Sequence, residues 1–227
     1  MGYIRCKGRE KRSNVYKPPP DSNWNWRNIC KVKERLSGGY QNGLWIHDAK
    51  GYSIRSGYDW LQGMHPPVQW YKDVWGGWIV PKHSMVGWLI KLEALNTREK
   101  LYRHGISDSD MCVLCEEDTE SHAHLFTSCQ FSTQILRELE NWLHLQVQGP
   151  HGNYSKMQRK VCSMAWLAYC YVIWTERNNN RIELQVKRPS LVLKHLIQVI
   201  RGRIQNLLPP RVKSTDAQWL ISLDIKC

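Results

Sequence analysis

One stretch constrains this chain more than any other: Cys112-Val-Leu-Cys115, eight intervening residues, then His124-Leu-Phe-Thr-Ser-Cys129. Two cysteines two residues apart can bring both thiolates to one cation from a single tight turn. A histidine and a cysteine separated by four residues can complete a tetrahedron from a following helical turn. Zn²⁺ favours four N/S ligands and asks for nothing beyond tetrahedral geometry, so Cys₃His suits a structural zinc ion. The expected ligands are Cys112, Cys115, His124 and Cys129, holding one ion in a Cys-Cys-His-Cys knuckle with a long central loop. His122 competes with His124 for the role, and the spacing to Cys129 favours His124. Four protein ligands leave no position for a reactive water, so such an ion orders a loop and performs no chemistry. Free cysteines also serve as small core hydrophobes, but unrelated core thiols have no need of this spacing.

Charge is distributed unevenly around the knuckle. The net charge is +12 over 227 residues. Residues 1–35 hold ten Lys/Arg against three acids, residues 36–155 nine against thirteen, and residues 156–227 thirteen against four. Basic ends suit a polyanionic partner, whereas Glu116, Glu117, Asp118 and Glu120 would turn phosphate away from the knuckle loop. The remaining cysteines, Cys6, Cys30, Cys162, Cys170 and Cys227, follow no disulfide framework and suit a reducing compartment. No apolar core follows the first charges as in a signal peptide, and the run 161–174 is too short to span a bilayer. An intracellular, nuclear location without membrane contact is the expectation.

Hydrophobic periodicity predicts a mainly α protein, a helical domain with a small β-hairpin and an inserted zinc knuckle. Three regions are expected: a basic, partly flexible arm (1–42), a zinc-binding domain (43–148) and a basic helical region (149–227). The hairpin is placed near residues 44–54, where Asp48-Ala-Lys-Gly51 reads as its turn. Residues 70–75 suggest a helical turn. Pro81 opens a helix with Met85, Trp88, Leu89, Leu92 and Leu95 at helical spacing. Thr97 reads as the N-cap of a helix over 98–104, which Gly105 stops. Ile135, Leu136, Leu139, Trp142 and Leu143 mark the apolar face of a helix running to about His144. A long helix is expected from about Ser155 to Leu184. A last one starts at Pro189-Ser190, with Leu193, Ile197, Ile200, Ile204 and Leu207 facing inward until Pro209-Pro210.

Several of these residues together resemble a known family. They are Trp78-Ile-Val-Pro-Lys82, Trp88-Leu89, Leu95-Asn-Thr97, Leu101, Gly105, Cys112-x-x-Cys115, Glu120-Ser121 and His124-Leu-Phe126-x-x-Cys129. In order and spacing they resemble the zinc-binding region that follows the reverse transcriptase domain in plant LINE-type non-LTR retrotransposons. Gly51-Tyr-Ser-Ile-Arg-Ser-Gly-Tyr58 is similar to that family's lead-in, and Ile173-Trp174-Thr-Glu-Arg177-Asn178 to its Trp-x-x-Arg-Asn helix. The likeness covers roughly residues 43–186. It implies the same four zinc ligands and a role beside a polymerase, handling nucleic acid. The chain departs from a full element: it has no Tyr/Phe-x-Asp-Asp run for nucleotidyl transfer and no nuclease or ribonuclease H acid set.

The leading expectation is thus a non-catalytic zinc module that binds RNA or single-stranded DNA through basic termini. The nominated contacts are Lys7, Arg9, Lys11, Arg12, Lys17 and Arg27 near the start, and Arg201 and Arg203 in the last helix. Aromatics interleaved with cations could stack bases while phosphates are neutralised. The alternatives are a zinc-pinned scaffold that docks on a polymerase or other protein, or a retroelement remnant without a selected role.

Overall fold

The computed structural model describes residues 68–149, 152–183 and 187–226, together with scattered positions between 20 and 66. The chain forms two compact units, Met1–Pro67 and Val68–Cys227. The hairpin expected at 44–54 lies outside the described residues. In the second unit the described residues are helical, joined by turns and one isolated antiparallel bridge, Met111 to Thr119.

Among the described residues, seven α-helices and one π-turn build this unit. They are α1 (Tyr71–Val74), α2 (Pro81–Lys91), α3 (Arg98–Arg103), the π-turn (His124–Ser128), α4 (Gln130–Leu143), α5 (Lys156–Glu183), α6 (Pro189–Leu207) and α7 (Ser214–Ser222). The long α5 is the central strut, with α2 and α6 packed along it and α6 also against α4. Ser155 starts α5 with a capping box: its Oγ accepts the Gln158 N–H at 3.0 Å, and Gln158 Oε1 accepts the Ser155 N–H at 2.9 Å. Val161, Cys162, Ala165, Ala168, Tyr169, Cys170 and Ile173 of α5 are all sealed from solvent. Cys162 and Cys170 are therefore core thiols, as their neighbours on the helix suggest.

Two expectations change in the tertiary setting, and one further helix enters. Met85 and Leu92, which recur at helical spacing in the sequence, are exposed, while His83, Ser84, Val86 and Gly87 of α2 are buried. The helix turns this face inward because Gly87 permits close approach: a Cβ there would stand 2.4 Å from Leu167 Cδ2. In α6 the buried residues are Val192, Leu196, Ile200 and Ile204, with Leu193 and Ile197 half-buried, so the inner stripe is rotated. The C-terminal helix α7, for which no expectation was formed, packs Leu220 into the core and lets Trp219 Nε1 donate to the Leu143 carbonyl at 2.8 Å.

Other elements follow local chemistry closely. Helix α4 buries Phe131, Ile135, Leu139 and Leu143 along one stripe and ends at His144 in the left-handed conformation (φ 53°). Helix α3 stops in a Schellman motif around Gly105 (φ 67°). There Gly105 N–H donates to Tyr102 O and Ile106 N–H to Leu101 O, each at 2.9 Å.

Candidate metal centre

The knuckle is assembled from a short bridge and a π-turn. Cys112 N–H donates to Asp118 O, and Glu120 N–H to Asp110 O, each at 2.8 Å, closing the loop that carries the first two cysteines. Glu116 N–H returns to Cys112 O at 2.9 Å, which needs Glu116 in the left-handed region (φ 58°). Ser121 caps the next turn by accepting the His124 N–H on its Oγ at 3.0 Å. From His124 the expected helical turn takes the wide π form, and Cys129 N–H donates to His124 O at 2.7 Å. Wide turns of this kind recur at functional sites. Here one places a ligand at each end.

The side chains converge. The donor atoms of Cys112, Cys115, His124 and Cys129 lie within 4.8 Å of one another, and Cys115 alone of the four is partly open to solvent. Cys112 and Cys129 sulfurs are 3.9 Å apart, and Cys115 Sγ is 3.3 Å from His124 Nε2. Two thiolates on one tetrahedral zinc, each at about 2.3 Å, would stand about 3.8 Å apart, so the set fits one zinc ion. His124 is the histidine that joins the cluster, through Nε2. Its buried Nδ1 has no hydrogen-bond partner and faces Asp118 Oδ2 at 3.5 Å, where a carboxylate can orient a metal-bound imidazole. His122 stays out of the cluster and lines a separate 240 Å³ pocket with Lys100 and Glu99.

The thiols are electrostatically unequal. The hydrogen bond from the Cys112 thiol, with help from the Ser132 backbone N–H, draws Cys129 down to about 5. Cys112 is correspondingly pushed up, by donating to Cys129 and by burial. Burial also raises Cys115. A cation entering the cluster thus finds one thiolate ready and displaces protons from the other two.

Helix α5 holds the knuckle at three points. Tyr169 Oη lies 3.0 Å from both Phe126 O and Ser132 O, sharing its proton across the π-turn and the start of α4. Asn180 Nδ2 donates to Val113 O between the first two cysteines. Arg177, stacked 4.8 Å over Trp174, donates to Glu120 through Nε and Nη2 and to Asn96 O through Nη2. Glu120, expected on the phosphate-repelling loop surface, is instead fully buried. Its Oε1 also accepts the Arg98 N–H at 2.8 Å, so Glu120 caps α3. Thr97 occupies the N-cap position but makes no side-chain cap bond, a correction to the sequence expectation. Buried Glu120 is met by the buried Arg177 guanidinium, which reaches it from 57 residues away.

Lys7, Arg9, Lys11, Arg12 and Lys17 lie outside the described residues, and Arg27 is exposed. Arg201 is half-buried, with Nη2 donating to Leu223 O at 3.1 Å and Nη1 3.5 Å from Asp224. Arg203 donates from Nε to Trp78 O at 3.0 Å and from Nη2 to Gly77 O at 3.3 Å. No described helix is long and apolar enough to cross a membrane.

Comparison with known proteins meets this geometry at the knuckle. No curated protein and no solved structure matches the chain. Residues 52–135, which include all four candidate ligands, match the family model zf-RVT, zinc-binding in reverse transcriptase.

Proposed function

We propose that the chain is a non-catalytic, zinc-stabilised module that binds RNA or single-stranded DNA through basic surfaces away from the knuckle. The observation that supports this reading is charge separation. Exposed Glu116, Glu117 and Asp118 surround the metal loop, whereas residues 156–227 carry thirteen Lys/Arg against four acids. A four-ligand metal set offers no open position for hydrolysis, which fits a structural ion. The family description, zinc-binding in reverse transcriptase, fits a nucleic-acid setting. Lys7, Arg9, Lys11, Arg12, Lys17 and Arg27 would add phosphate contacts from the basic arm, and a nuclear location would follow from such a partner. Arg201 and Arg203 would contribute charge while their guanidinium groups hold the fold.

The test is fluorescence anisotropy of the zinc-loaded chain on labelled oligonucleotides across a salt series. Each phosphate neutralised steepens the log–log salt slope by about 0.7 for single strands. A slope of several contacts supports the module; no binding at low salt by folded, zinc-loaded protein overturns it. A second reading, a scaffold docking on a polymerase or other protein, draws on exposed Tyr71, Trp75, Met85 and Leu92. It gains if nucleic acid fails to bind.

A further inference from the structure

Cations and aromatic rings alternate along the face where α2, α5 and α6 meet. Lys82 Nζ stands 4.8 Å from the Tyr171 ring centroid, and Lys160 Nζ stands 5.5 Å from that of Trp78. Residues 160 and 171 are eleven apart on α5, about three turns, so they share one side of that helix. Arg203 of α6 joins the two pairs: it binds Trp78 O at 3.0 Å, and its charge, with that of Lys82, acts on His83, which packs 4.7 Å from Tyr171. Tyr171 continues into a 350 Å³ groove between α5 and α6 that Lys187 and His195 also line.

Opposing charge is sparse among the described residues of these helices. Among the described side chains of α2, α5 and α6 the carboxylate is Glu176, which is 5% exposed and paired with Lys187 at 3.1 Å. Lys82, Lys160, Lys194 and His195 are exposed. Trp78 and Tyr171 are half-buried, and each ring is approached by an exposed lysine. A ring held in this way can take a nucleobase on its open side while the displaced ammonium moves to the neighbouring phosphate.

We propose that Trp78, Lys82, Lys160, Tyr171 and Arg203 form a single-strand track, with Trp78 and Tyr171 as stacking platforms and the three cations along the backbone. This rests on the nucleic-acid reading above and names its surface, on the folded helical unit rather than the basic arm. Unpaired bases are the occupant that fits. Cations alone would favour a duplex for its higher charge density, whereas stacking platforms require bases freed from pairing.

The experiment compares the zinc-loaded full chain with Lys82→Gln/Lys160→Gln, and with Arg137→Gln, an exposed cation of α4, as control. The probes are labelled oligo-U RNA, oligo-dT and a DNA duplex of equal length. The track predicts single strands bound more tightly than duplex, and a salt slope reduced by about 1.4 in the double variant but unchanged in the control. Photo-crosslinking of 4-thiouridine RNA should label peptides containing Trp78 or Tyr171. Binding that is unaltered in the double variant, or prefers duplex, overturns the track and leaves nucleic-acid binding to other surfaces. Absence of binding to every probe by the parent chain overturns the nucleic-acid reading itself. RNA against oligo-dT then separates the two sources of single strand.

Discussion

Arg177 closes on a single oxygen of Glu120, with Nε at 2.9 Å and Nη2 at 2.6 Å, and both side chains are shut away from water. The pair bolts the C-terminal half of α5 to the residue that caps α3 and closes the zinc loop. Its remaining oxygen, Glu120 Oε2, has no hydrogen-bond partner, so the carboxylate depends on the guanidinium and on the Arg98 N–H.

Removing one member of such a pair strands a buried charge. Arg177→Met is expected to cost about 3–5 kcal/mol in urea unfolding of the zinc-loaded chain. The double variant Arg177→Met/Glu120→Gln should lose markedly less than the sum of its singles, because each single strands a buried ion and the double leaves none. Additive losses in that cycle would show that the two residues act separately.

Zinc loading should release protons. At neutral pH Cys129 is already a thiolate, whereas Cys112 and Cys115 are held protonated. Calorimetric titration with Zn²⁺ in buffers of different ionisation enthalpy is expected to report about two protons released at pH 7. Cys115→Ser should weaken binding, and chelation should lower the thermal midpoint, since structural zinc sites contribute on the order of 10 kcal/mol to ordering their loops. An identical melting temperature with and without chelator would argue against a structural ion.

Acid should act on the α2–α5 contact through His83. Burial, reinforced by the charges of Lys82 and Arg203, lowers His83 from 6.5 to about 4. The unfolded chain therefore takes up this proton first, and stability present above pH 6.5 is lost as pH falls towards 4. The full loss from this residue is about 3 kcal/mol. His83→Phe should remove that component, seen as a parent-minus-variant difference that narrows between pH 6.5 and 4. Zinc loss at low pH affects both chains and cancels in the difference.

Gly87 tests the close approach of α2 to α5. Alanine would improve helix propensity by about 1 kcal/mol, yet its Cβ meets the buried Leu167 side chain. Overpacking of about 1–3 kcal/mol opposes that gain, so Gly87→Ala should be destabilising by roughly 1 kcal/mol in denaturant unfolding. Adding Leu167→Ala opens the space, and the cost of Gly87→Ala should then vanish.

The sequence by itself determined what depends on short spacing. Cys112, Cys115, His124 and Cys129 were legible as ligands because a tetrahedral ion dictates both residue type and separation. The Gly105 stop, the stripe of α4 and the extent of α5 were legible because glycine conformation and a 3.6-residue period are local properties. The tertiary structure alone decided the rest. Which side of α2 turns inward depended on Leu167, and the cap of α3 on Glu120 rather than the adjacent Thr97. The π-turn between His124 and Cys129 has its Phe126 carbonyl met by Tyr169, 43 residues along the chain. Each of these is a contact between residues remote in sequence. A buried charge, donor or cavity selects whichever partner the packing brings near, and no local pattern encodes that choice.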